Sequence, residues 1–92
     1  MTEPITVRRK RLTHASRYRG FLESDLFFGR FADQHLHSLD KAQLDRYEAL
    51  LQENDHDLFA WIAGRQPVPP EHDNDVMTLL RRFEFTAAST GA

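Results

Sequence analysis

The stretch RYRGFLESDLFFGRFAD, residues 17–33, decides how this chain folds. Arg19 and Glu23 bracket Gly20, and a phenylalanine-rich run follows. Phe28, Phe31, Ala32, His35 and Leu36 recur at the i, i+3, i+4, i+7, i+8 spacing of an amphipathic helix. Phe21, Leu22, Leu26 and Phe27 lie off that stripe, so the front of this helix is apolar on nearly every side. Such a segment is central to a core, touches a partner, or does both. Gly20 itself has two structural readings. Inside a continuous helix it costs about 1 kcal/mol against alanine, and Arg19 and Glu23 share a face in the weaker of the two charge orders. If the chain breaks there, Gly20 is the C′ residue of one helix and Glu23 a first-turn acid of the next. A functional reading stands beside these. Gly20 is then a notch without a Cβ, where another chain approaches closely, and Arg19 and Glu23 are hydrogen-bonding arms at its sides.

Working outward, the pattern is helical almost throughout, with no convincing alternating strand. A first helix is expected over residues 5–18, with Leu12, Ala15 and Tyr18 on one side, and a second from Gly20–Glu23 to about His37. Asp40 and Gln43 have the spacing of a capping box, and Leu39 and Leu44 that of a hydrophobic staple. Leu44, Tyr47, Leu50 and Leu51 form the apolar face of the third helix. Asn54 or Asp55 caps a short fourth, with Leu58, Trp61 and Ile62 inward and Gly64 and Pro67 as stops. The prolines of RQPVPPE, residues 65–71, make a stiff loop. A last helix fits residues 72–84, with Val76, Leu79, Leu80 and Phe83 on one face, and the tail over 86–92 is expected to fray. The reading is an all-α fold: one domain spanning 1–92, ordered over about 5–85, built as a small bundle of about five short helices around one aromatic-rich core.

Composition narrows the function. With no cysteine among 92 residues, disulfide frameworks and thiolate metal sites are excluded. The apolar runs are far too short to span a membrane, and MTEPITVRRKRL lacks the apolar centre of a secretory signal. Residues 1–19 carry a net charge of +5 and the remainder −7. The Arg8–Arg11 cluster is either a solvated helix face or a contact for nucleic acid or an acidic surface.

The sequence carries no recognisable catalytic or cofactor motif. There is no glycine-rich phosphate loop and no HExxH. His35 and His37 point about 200° apart on a helix, which argues against a shared metal. The acids and histidines of residues 55–57 and 71–75 stand at helix starts, where acids and asparagine are expected as caps. Ser16 and His14 carry no triad signal, and Phe27, Phe28, Phe31 and Trp61 read as core. The residues argue against an enzyme, and no catalytic, cofactor-binding or metal-binding group is assigned.

Two blocks, RYRGFLESDLFFGRFAD and LDRYEALLQENDHDLFAWIAGRQPVP, resemble the SdhE-like family of succinate dehydrogenase flavinylation factors. Its Arg-Gly-x-x-Glu hallmark is matched by Arg19, Gly20 and Glu23, and the run after it by Asp25, Leu26, Phe27, Phe28, Phe31 and Ala32. A second block is matched by Leu50, Leu51, Asp55, Asp57, Leu58, Trp61 and Ile62. Ser24 stands where the pattern has a larger apolar residue, and Phe21 where methionine is common. The resemblance implies an assembly factor that binds the flavoprotein subunit of succinate dehydrogenase, and in some bacteria of fumarate reductase. It promotes covalent attachment of FAD to a histidine of that partner and holds no FAD stably itself. Arg19, Gly20 and Glu23, with Arg17, Phe21 and Asp25 beside them, are then the partner-binding residues. Because the family block begins near the amino end, a bacterial cytoplasmic protein is expected, or a processed form in the mitochondrial matrix. A free monomer is expected, its apolar residues consumed by one core. The competing reading is a nucleic-acid-binding or antitoxin-like module working through the basic arm. The acidic body and the missing helix-turn-helix signature weigh against it, and no nucleic-acid partner is expected.

Overall fold

In the computed structural model, residues 3–91 are described, and of residues 84–91 only the backbone. Five α-helices follow one another: α1 Ile5–Arg17, α2 Leu22–His35, α3 Lys41–Leu51, α4 Asp55–Ile62 and α5 Asp75–Gly91. Short 3₁₀ turns at Leu36–Ser38 and Pro70–His72 precede α3 and α5. The all-α reading holds. No helix among the described residues is long and apolar enough to cross a membrane.

The helix ends show why the chain turns where it does. Asp40 accepts from the Gln43 amide at 2.9 Å while its own amide donates to Gln43 Oε1 at 3.0 Å, so both halves of the capping box are made. Leu39 and Leu44 are both buried, as a staple requires. Asn54, not Asp55, caps α4 by accepting from the Asp57 amide at 2.9 Å. At the far end Gly64 takes φ +77°. The Arg65 amide donates to Ala60 O and the Gly64 amide to Trp61 O, the paired bonds of a Schellman stop. The start expected at residue 72 moves to Asp75, because Asn74 Oδ1 accepts from the amides of Val76 and Met77. The end expected at 84 moves to Gly91, since no proline or glycine interrupts residues 85–90. Side chains beyond Phe83, and the expected fraying over 86–92, lie outside what is described.

The core runs through all five helices. Leu12, Phe28, Phe31, Leu44, Tyr47, Leu50, Leu58, Val76 and Leu80 are buried, with Phe27, Phe59 and Phe83 packed against them. The face expected for α1 needs correction. Leu12 is buried, but Tyr18 is 70% exposed, and Ser16 takes the inward place one turn after Leu12. The helix ends before Tyr18, whose φ of −125° has left the helical register.

Ser16 makes a polar point inside this core. Its hydroxyl donates to Leu12 O at 2.7 Å, so Tyr47 Oη must be the donor in the 2.6 Å contact with Ser16 Oγ. Burial holds the Tyr47 phenol well above the usual tyrosine range, although its bond to Ser16 opposes this. Ser16→Ala leaves a buried phenol unpaired, whereas Tyr47→Phe leaves Ser16 still bonded to Leu12 O. The first should cost about 2 kcal/mol and the second about 1. Adding Tyr47→Phe to Ser16→Ala should recover part of the loss, as read in urea unfolding.

The basic arm is absorbed by α3. Arg8 pairs with Asp45 at 2.6 Å and Glu48 at 3.0 Å, and Arg11 with Glu48 and Glu3 at 2.9 Å each. Arg9 donates to the carbonyls of Leu36 and Leu39, tying α1 to the turn before α3. The bond from Arg11, then that from Arg8, holds the Glu48 carboxyl below its usual 4.5 despite partial burial. A lowered folded-state pKa gives stability that is present above the unfolded value and lost as pH falls through the folded one. Acid should therefore weaken this network below about pH 4.5. In Glu48→Gln that part of the acid sensitivity should vanish, and stability at pH 7 should fall by about 1 kcal/mol. Thermal midpoints compared at pH 7 and pH 3 check both statements.

Candidate partner-docking site

Gly20 lies in the link between α1 and α2 with φ +95°, a conformation that L side chains rarely adopt. The chain breaks here, so Arg19 and Glu23 do not share a helical face. Tyr18 is the C-cap of α1, which places Gly20 one residue past the C′ position expected for it. The link is closed from the other side. Asp25 Oδ1 accepts from the amide of Arg19 at 2.6 Å and of Gly20 at 3.2 Å. Asp25 is thus occupied in holding the turn.

Arg19 corrects the sequence reading most strongly. Its side chain is only 9% exposed and points inward, away from the notch it was expected to flank. Nε donates to Asp55 Oδ1 at 2.5 Å, Nη1 to Leu51 O at 3.1 Å and Nη2 to Glu53 O at 2.9 Å. The guanidinium also lies 5.2 Å from the centre of the Phe28 ring. Ser24, fully buried, donates to the same Asp55 oxygen at 2.8 Å. A larger apolar side chain at residue 24 would leave that oxygen with one donor fewer.

Gly20, Phe21 and Glu23 face outward. A Cβ at Gly20 would meet nothing within 4 Å among the described residues, so the notch is open there. Glu23 is exposed in the first turn of α2. Phe21, Leu22 and Leu26 are 50%, 73% and 52% exposed. They form an apolar patch beside the notch, against the expectation that one core consumes the apolar residues. Phe27 turns the other way and packs edge-on against Phe28, Phe59 and Phe83. A groove of about 580 Å³ borders the patch, lined by Phe21, Glu23, Asp55, His56, Phe59 and Arg65 among others. Arg17, the last residue of α1, is paired with Asp33 and half exposed. Its chain packs over Gly29, where a Cβ would come within 3.1 Å of Arg17 Cγ.

A family model described as "flavinator of succinate dehydrogenase" matches residues 10–84. The chain belongs to this flavinator family. The succinate dehydrogenase assembly factor 2, mitochondrial, of Aedes aegypti is 42% identical over 81 residues, covering 86% of this chain and 50% of the relative. That of Culex quinquefasciatus is 41% identical over 81 residues, covering 86% and 51%. That of Danio rerio is 37% identical over 83 residues, covering 88% and 52%. The chain spans about half the length of the curated relatives it matches. The flavinator family match takes in the whole link between α1 and α2 and the Asp55 staple behind it.

Sequence reasoning assigned no role to Ser24 and only a helix-start role to Asp55. The signal available for Asp55 was its place in the second family block, far along the chain from Arg19. His72 was also missed. It is 5% exposed, bonds Glu53 at 2.7 Å and lies against Trp61 at 5.5 Å. In the sequence it reads as one more polar residue before a helix. Among the described residues, no group of three acids or histidines is placed to hold a metal ion.

Proposed function

We propose that this chain is an assembly factor that docks on the flavoprotein subunit of succinate dehydrogenase and promotes covalent attachment of FAD to a histidine of that subunit. The related fumarate reductase flavoprotein is the second candidate partner. The flavin is held and linked by the partner, and this chain supplies no nucleophile. The observation that carries the reading is the outward set at the start of α2: the open Gly20 notch with exposed Phe21, Leu22, Glu23 and Leu26 around it, in a chain of the flavinator family. An apolar patch with a carboxylate inside it, beside a bare stretch of backbone, fits a protein surface. Its contribution is to hold the partner's histidine and flavin in a reactive arrangement, which is catalysis by positioning and electrostatics.

The nucleic-acid reading loses the feature that raised it. Arg8, Arg9 and Arg11 are engaged with Asp45, Glu48, Glu3 and two backbone carbonyls, so the arm is largely neutralised within the fold. The patch also favours a partner over a chain that is complete as a free monomer.

Co-elution of the purified flavoprotein subunit with the parent chain, Leu26→Glu and Glu23→Ala tests docking. Both side chains lie on the exposed face, so the variants should stay folded and lose co-elution. Co-elution equal to that of the parent in both variants would remove the docking face from the account.

A further inference from the structure

We propose that Asp55 is the positioning residue that sets the Gly20 link for docking, and that Arg19 serves the partner only through it. The proposal rests on the docking reading above and names the device that prepares the same surface. One carboxylate oxygen, Asp55 Oδ1, accepts from Arg19 Nε and from Ser24 Oγ. These donors bracket the link, one just before Gly20 and the other in the first turn of α2. A single oxygen on α4 therefore fixes both ends of the segment that carries Gly20, Phe21 and Glu23 outward. Asp25 completes the frame from within, through the amides of Arg19 and Gly20.

The chemistry needs a carboxylate at this place. Its oxygen accepts two hydrogen bonds at once, and its charge answers the guanidinium. The first turn of α4 favours that charge through the helix dipole. Arg19 has little left to offer a partner. Its Nη1 and Nη2 donate to Leu51 O and Glu53 O, and the side chain is 9% exposed. A partner that reached the guanidinium would have to break bonds already made. Glu23 carries the opposite signature: it is exposed and lines the groove, and among the described residues its carboxylate has no hydrogen-bond or ion-pair partner.

The test is a double-mutant cycle on affinity for the isolated flavoprotein subunit, joined to amide hydrogen exchange in the free protein. Asp55→Asn and Arg19→Ala should each weaken binding by about tenfold, and the double variant by little more than the worse single one. Ser24→Ala removes one bond without changing any charge and should weaken binding by a few-fold in a fully folded chain. Exchange of the Gly20 amide should speed up by about tenfold in Asp55→Asn and Ser24→Ala, while core amides such as that of Leu50 stay protected. Val76→Ala, a core change in α5, is the stability control and should bind as the parent does. Losses that multiply in the double variant would show Arg19 touching the partner directly and overturn the proposal. Unchanged exchange at Gly20 would overturn it as well. If the parent chain itself does not bind the subunit, the docking reading fails, and the exchange result alone decides whether Asp55 sets the link.

Discussion

Arg19→Ala should lower the stability of the free protein by about 3 kcal/mol. The substitution removes donors to Asp55 Oδ1, Leu51 O and Glu53 O, and lifts a cation off the Phe28 ring. Among the described residues Asp55 then keeps only its bond from Ser24 and becomes a partly buried carboxylate without its Arg19 counter-charge. Breaking a fully buried pair costs about 3–5 kcal/mol. The lower end applies because the Asp55 side chain retains 21% exposure and can be partly rehydrated. A chain of this length has roughly 5–14 kcal/mol in all, so the loss is a large share. Arg19→Lys should recover less than half. One ammonium on a flexible stem cannot serve three acceptors that a planar fork reaches together. Urea midpoints at unchanged slope measure both, and a loss below about 1 kcal/mol for the alanine variant would mean the staple is open in solution.

Phe28→Ala should cost about 4 kcal/mol. The ring is fully buried, and its centroid lies 5.1 Å from Phe27 and 5.9 Å from Phe59. It is the floor on which the Arg19 guanidinium rests. Alanine leaves a cavity between α2 and α4 that the neighbouring rings fill only in part. Phe28→Leu restores most of the volume without the aromatic face and should cost about 1–2 kcal/mol. Arg19→Ala and Phe28→Ala should be less than additive by roughly 0.5–1 kcal/mol, because each removes the same cation–ring contact. Thermal or urea unfolding of the four proteins gives the coupling. Strict additivity would mean the guanidinium is held by its hydrogen bonds alone.

What the sequence made legible was local. The Asp40–Gln43 box, the cap expected at Asn54 or Asp55 and the Gly64 stop each depend on residues within six positions of one another, and each is made, the cap by Asn54. The stripe of Phe28, Phe31 and Ala32 is buried for the same reason, since helical periodicity is itself a local property. What stayed hidden depends on contacts across the chain. The direction of Arg19 is set by Asp55, Leu51 and Glu53, more than thirty residues away. The break at Gly20, one of the two structural readings of the sequence, is present, but no spacing rule applies across a helix break, so it left the direction of Arg19 open. Tyr18 turned outward because α1 ends at Arg17, while Ser16, four residues after Leu12 on the same face, is buried although its polar side chain gave no apolar signal. The site was half legible. Gly20, Phe21 and Glu23 lie on the outer surface, where the resemblance led a partner contact to be expected, whereas Arg19 and Asp25 are bonded inside the link.

The central claim is that this chain raises covalent flavin on its partner through the surface around Gly20. The direct measurement is in-gel flavin fluorescence of the succinate dehydrogenase flavoprotein subunit after denaturing electrophoresis. The subunit is produced with no factor, with the parent chain, and with the Glu23→Ala and Leu26→Glu variants. The account predicts a bright covalent band with the parent chain and a band near the no-factor level with either variant. Equal bands in every lane would contradict it.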